Sequence, residues 1–160
     1  MELKLKLNLG CGDKILEGYV NIDLYNPKAN LIADATKLDF IENDSVDEIQ
    51  TIAFFEHINP FKAGDTLVEW KRVLKKGGKL IIEMPDILEL CKHFIEGDKK
   101  ERYHLLNCIY GTTQPEHPHL FGWYPDIISD HLVAVGFKDI KILLAQNYHW
   151  GYNFRTEAIK

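Results

Sequence analysis

In the run LNLGCGDKILEGYVNIDL, residues 7–24, two glycines flank Cys11 and an acid, Asp23, closes a second short alternation of apolar and polar side chains. Gly10 and Gly12 let a backbone turn sharply and approach a ligand with no side chain in the way. An acid at the tip of the next strand can accept hydrogen bonds from both hydroxyls of a ribose. In open α/β sheets ligands gather at the carboxyl ends of strands, where these residues fall. The dinucleotide fingerprint needs a third glycine, and Ile15 stands there instead, which leaves little to receive pyrophosphate charge. Asp23 also follows Gly12 by only eleven positions, too few for a full crossover helix. A plain turn with a surface acid explains the same residues equally well.

Histidines supply the other candidate chemistry. His57 follows Glu56 in FFEHI, and its simplest use is to fix the loop before Asn59. His117 and His119 lie in QPEHPHLFGWY, where a solvated loop histidine is the commonest outcome and a lid role, with Phe121, Trp123 and Tyr124 closing over a bound molecule, the next. His57, His117, His119 and Tyr124 are the candidates for a proton acceptor, should the reaction need one. The H-P-H spacing offers two metal ligands, with Glu116 the only adjacent third and a proline stiffening the pair, so no metal is expected. Cys11 has no partner in the sequence that would activate a thiol, and small size explains its place in the turn.

The whole chain bounds these readings. With 160 residues, 46% hydrophobic and 27% charged, it is long enough for one domain spanning residues 1–160 with a substantial core. A net charge of −5 makes a nucleic-acid partner unlikely to be drawn by charge, and no apolar run is long enough for a membrane span. Cys11, Cys91 and Cys108 form no even framework, which points to a reduced, cytoplasmic setting. The oligomeric state is open.

Strand patterns recur at residues 4–9, 19–24, 30–33, 46–51, 79–84, 139–144 and 153–159. Helices are expected from Asn59-Pro60 to the stop at Gly77-Gly78, from Pro85 to Gly97, over 99–110, and over 125–135 closed by Gly136. Strand–helix alternation predicts an α/β fold with a mostly parallel sheet. Buried parallel strands normally read as continuous apolar runs. Here Leu3, Leu5, Leu7 and Leu9 oppose Lys4, Lys6 and Asn8; Val20 and Ile22 oppose Asn21 and Asp23; Ile140, Ile142 and Leu144 oppose Lys141. The connections between the first strands are short as well. The helical layer over one face is therefore expected to be reduced to turns and loops, leaving that face largely wet unless residues 99–123 or a second subunit cover it.

The segments KLNLGCG, VNIDL, ADATKLDF, SVDEIQTIAFFEHI and VEWKRVLKKGGKLIIEMPD, in this order and spacing, resemble class I S-adenosylmethionine-dependent methyltransferases, most closely a compact prokaryotic group with an abbreviated first crossover. The resemblance covers residues 4–86 well and GWYPDIISDHLVAVGFKDIKI more loosely. It implies a Rossmann-like sheet with an antiparallel last strand and S-adenosyl-L-methionine as cofactor, and a small molecule is the expected methyl acceptor. On this resemblance Leu9, Gly10, Cys11 and Gly12 would border the methionine end of the cofactor. Asp23 would take the ribose hydroxyls, with Leu24 beside the adenine. Asp34 would accept from the exocyclic amine and Ala35 N–H would meet a ring nitrogen, while Thr51 and Ile52 would line the methyl exit. Relatives often carry Ser or Asn and then His just after the fourth strand, whereas Ile52 and Ala53 stand here. A cofactor-binding scaffold without turnover is the second reading. A nicotinamide-linked oxidoreductase is disfavoured by Ile15 and the short spacing to Asp23.

Overall fold

Alternation along the strands produces a sheet with two chemically different faces. The structure, a computed structural model, describes residues 4–111, 118–147 and 151–160. Its strands are β1 (Lys6–Leu9), β2 (Val20–Asp23), β3 (Leu31–Ile32), β4 (Val46–Ile52), β5 (Leu74–Pro85), β6 (Lys138–Leu144) and β7 (Asn153–Ile159). They form one sheet in the order β3-β2-β1-β4-β5-β7-β6. The first five are parallel, and β7 runs antiparallel to both β5 and β6. One cross-strand row reads Ile22, Leu9, Thr51, Ile82, Thr156; the adjacent row, facing the other way, reads Asn21, Asn8, Gln50, Ile81, Glu157.

Two helices cover the first face. In α1 (Pro60–Val73), Asn59 accepts from Phe61 N–H at 3.0 Å and Pro60 takes the first position. In α4 (Pro125–Val135), Gly136 closes the helix at φ 88°. Ala63, Leu67, Trp70 and Val73 of α1 join Ile128 and Leu132 of α4 in the core against Leu7, Leu9, Ile49, Leu80 and Ile82. The Trp70 indole, fully buried, donates to Ala35 O at 2.8 Å. The other two helices, α2 (Ile87–Glu96) and α3 (Lys99–Tyr110), begin at Asp86 and Asp98, each of which accepts from backbone N–H groups of its first turn.

Three expectations need correction. α1 ends at Val73, short of Gly77-Gly78, because Leu74 takes an extended backbone, is fully buried and pairs with Val46 as the first residue of β5. The apolar side of β6 is only partly covered: Ile140 packs on the core, but Ile142 and Leu144 are exposed, since β6 is the sheet edge beyond α4. The polar face is not wet at its centre. Asn8, Asn21, Gln50, Glu83 and Arg155 are all buried.

Loops provide that cover. Asn8 Nδ2 donates to Lys14 O at 2.7 Å and to Asn21 Oδ1 at 2.8 Å, while Asn21 exchanges hydrogen bonds with the Leu16 backbone. Glu83 accepts from Gln146 N, Asn147 N and Asn147 Nδ2 at 2.7–3.1 Å, and Arg155 stands 3.8 Å away. Lys14 Nζ then donates to Asn147 O at 2.9 Å, joining the two covering segments. Buried amides and a buried carboxylate thus do what a helical layer does elsewhere, anchoring connections too short to hold a helix. Leu3, the first apolar position of the alternation leading into β1, lies outside the described residues.

Candidate functional site

The glycine turn follows β1 directly. Gly10 (φ 62°) and Gly12 (φ 46°) both occupy the left-handed region, yet they differ in what they admit. A Cβ on Gly10 would meet the Phe54 ring at 2.1 Å, so this glycine makes room for an aromatic side chain of the protein itself. A Cβ on Gly12 would meet nothing within 4 Å. Gly12 is the open position where a ligand can approach the backbone.

Asp23 is built into the same turn. Its Oδ2 accepts from Gly12 N–H at 2.8 Å, and its Oδ1 from Tyr25 and Asn26 N–H at 2.8 and 2.9 Å. Asn26 Nδ2 donates back to Gly12 O. The acid at the end of β2 therefore fixes the glycine turn, besides whatever it does for a ligand. Burial, and then the Asp23 charge, pushes the Cys11 thiol up to about 11, which makes it an inert packing residue.

A cavity of about 390 Å³ opens at this end of the sheet, within the usual range of about 300–1,000 Å³ for ligand sites. Gly10 to Lys14 form one wall, and Ile52, Ala53, Glu56 and His57 another. His104, Asn107, Cys108 and Gly111 at the end of α3 close it, with Leu90, His119 and Tyr152 beside them. Ala53 sits at φ 50°, strained for a residue with a Cβ, and its N–H is held by Glu83 O at 2.8 Å. Backbone strain thus falls on the cavity wall.

Of the expected site residues, Gly10, Cys11, Gly12, Ile52, His57 and His119 come together around this cavity. Asp23 touches it through Gly12. Leu24 is exposed at the sheet end, and Asp34 Oδ1 is engaged by Thr36 N and Oγ1, the turn use of an acid in A-D-A-T. Ala35 is buried. Leu9 and Thr51 lie side by side in the ladder, on the helix-covered face, both fully buried, with Thr51 Oγ1 unpartnered; β4 runs on to Ile52, one residue further than expected. Tyr124 precedes α4, outside the cavity lining. His117 lies outside the described residues.

The lid expectation is also corrected. Trp123 is buried against Phe55 at 4.9 Å between ring centroids, and its carbonyl accepts from Ile87 N–H. Leu120 and Phe121 N–H both donate to Glu56 O at 2.8 and 3.3 Å. These aromatics strap the core.

Glu56 was not singled out by the sequence. It is buried, both carboxylate oxygens lack hydrogen-bond partners among the described residues, and burial pushes its carboxyl up to about 8. His119 Nε2 stands 3.9 Å from it; burial, then the neighbouring His57, pulls that imidazole down to about 4. The signal was an acid directly after two phenylalanines and before Ile58. His104, Asn107, Cys108 and Gly111 were missed too, although their i, i+3, i+4, i+7 spacing marks one helix face.

A family model described as a methyltransferase domain matches residues 17–82, beginning after the glycine turn. No curated protein matches. A SAM-dependent methyltransferase from Archaeoglobus fulgidus superposes with a TM-score of 0.69 at 16% identity, covering 98% of this chain and 86% of that one. A Mesorhizobium loti S-adenosylmethionine-dependent methyltransferase gives 0.66 at 13% identity, over 100% and 93%. The 1,6-didemethyltoxoflavin-N1-methyltransferase of Burkholderia thailandensis, solved with its acceptor and S-adenosylhomocysteine, gives 0.64 at 12%, over 98% and 70%. At such identities the likeness is one of fold.

Proposed function

We propose that this chain, which has the class I S-adenosylmethionine-dependent methyltransferase fold, moves a methyl group from that cofactor to a small molecule held in the cavity. The observation that carries the reading is the cavity itself, set at the strand ends, with Gly12 open to it and Asp23 locking the turn. When bound, S-adenosylmethionine supplies a methyl group on a good leaving group, so in-line displacement asks the protein mainly for orientation and exclusion of water. Leu9, Gly10, Cys11 and Gly12 would border its methionine end. Asp23 would take the ribose diol by sharing Oδ2 between Gly12 N–H and a hydroxyl, Leu24 would flank the adenine, and Asp34 and Ala35 would meet its edge. Thr51 would act only from behind the wall that Ile52 forms. His57 and His119 line the cavity away from the glycine turn and, in metal-free protein, would be the side chains to receive a proton there, whereas Tyr124 lies outside the lining. The modest volume favours a small acceptor.

A second reading, a binding protein without turnover, draws on Ile52 and Ala53, which present no polar side chain at the methyl exit. Among the described residues no helix is long and apolar enough to cross a membrane.

Calorimetry with S-adenosylmethionine, S-adenosylhomocysteine and NAD tests the proposal. Saturable binding of the first two is expected; binding of NAD alone overturns it. Asp23→Ala should weaken cofactor binding by about 1–3 kcal/mol, and unchanged affinity in a folded variant removes Asp23 from the site. Product from a broad acceptor panel separates enzyme from scaffold.

A further inference from the structure

We propose that Glu56, His57 and His119 form a binding site for a divalent transition-metal ion at the acceptor end of the cavity. Each brings one possible ligand atom within 4.8 Å of the other two. This set differs from the H-P-H pair that the sequence suggests, since it joins residues 56 and 57 to residue 119 across the fold.

The case begins with Glu56. Its carboxylate is buried, lines the cavity, and has no hydrogen-bond partner on either oxygen among the described residues. A buried polar group without a partner is costly, and a cation beside it removes the cost. The candidate ligands are held in place by the backbone. Leu120 and Phe121 N–H donate to Glu56 O, and His119 N–H donates to Tyr110 O at 3.1 Å. His57 Nδ1 stands 3.1 Å from Pro118 O. A carbonyl only accepts, so Nδ1 is the donor there, the outer hydrogen bond that orients metal-bound imidazoles. The two rings meet edge to face at 4.8 Å between centroids.

Ligand atoms around a tetrahedral ion at 2.0–2.2 Å lie about 3.4 Å apart. The 3.9 Å between His119 Nε2 and Glu56 Oε1 is close to that, and the widest pair, within 4.8 Å, would have to draw in by side-chain rotation as an ion binds. Two imidazoles and one carboxylate suit zinc, cobalt, nickel or ferrous iron better than magnesium or calcium, which take all-oxygen sets. With three protein ligands, a bound ion keeps an exchangeable position toward the cavity.

The test is a Co²⁺ titration of the untagged full chain after chelator treatment, read by visible absorption. One ion per chain is expected, with Glu56→Gln and His119→Gln each lowering affinity at least tenfold in folded protein. Co²⁺ should also broaden the ring resonances of wild-type His57 and His119 before those of His93 and His104, which decides the matter where a variant does not fold. Absence of saturable binding overturns the proposal, as does wild-type affinity in Glu56→Gln or earlier broadening of His93 and His104. No cofactor enters the assay, so its failure leaves the methyl-transfer reading untouched, and failure of that reading leaves this one standing.

Discussion

Two glutamates are buried at the same end of this sheet, Glu83 at 0% exposure and Glu56 at 2%, and their surroundings are opposite. Glu83, near the end of β5, accepts from two backbone N–H groups and an amide, with Arg155 close by. Glu56, in the turn after β4, is a cavity wall whose carboxylate oxygens have no hydrogen-bond partner among the described residues. Burial alone therefore does not separate a structural acid from a functional one. The partners do. Where the protein supplies donors, the acid holds a connection in place; where it supplies none, the acid is left for something that binds.

The largest effect should come from removing the partnered acid. Glu83→Ala would leave the Gln146 and Asn147 N–H groups without their buried acceptor, while Arg155 keeps Glu157, and the chain should lose about 3–5 kcal/mol of stability, at about 1–3 kcal/mol for each stranded donor. Urea unfolding measures it. A loss below 1 kcal/mol would mean that the residue 146–147 segment does not depend on Glu83, and the comparison would fail on its structural side.

Glu56 should behave in the opposite sense. Its folded carboxyl, at about 8, lies above the ordinary value near 4.5. Between these the folded state binds more protons than the unfolded one, so stability falls as pH rises. Below pH 6.5 His119, held down to about 4, opposes this slope, so in chelator-treated protein the wild type should lose about 1–3 kcal/mol between pH 6.5 and pH 8, the scale of an unpartnered buried group. Glu56→Gln cannot ionise and should flatten that slope. Melting curves across this range decide it, and a slope unchanged in the variant assigns the proton to another group.

How much of this was legible follows from period and distance. Alternation along Leu7–Asn8–Leu9 and Val20–Asn21–Ile22 announced two unlike faces, and those residues pair in register. Caps at Asn59-Pro60 and Gly136 marked helix ends because they act within one turn. The fate of the polar face was not legible, since Lys14 and Asn147 are distant in sequence and meet only in the folded chain. Gly77-Gly78 misplaced the end of α1 because Val46, far away, claims Leu74 for the sheet. The site shows the same division. Gly12 and Asp23 were readable as neighbours along the chain, whereas Glu56 gains its meaning from His119.

The smallest effect lies on the polar face beyond Glu83. Glu157 pairs with Lys79 at 2.6 Å and Arg155 at 2.8 Å. Burial pushes its carboxyl up, but the hydrogen bonds and charges of Lys79 and Arg155 outweigh this and hold it below the ordinary range. An acid with a depressed folded value contributes stability above its unfolded value, near 4.5, and the contribution disappears as pH falls through the folded one. Glu157→Gln should therefore cost only about 0.2–1 kcal/mol at pH 7, as partly exposed pairs do, and should make stability less sensitive to acid below about pH 4.5. The slope has the reverse sign to that of Glu56, in a separate pH window, so one set of melts on wild type and the two glutamine variants resolves both. Were Glu157→Gln to steepen the acid loss instead, the charges of this face would oppose the fold, and its buried amides and Glu83 would have to hold the loops without them.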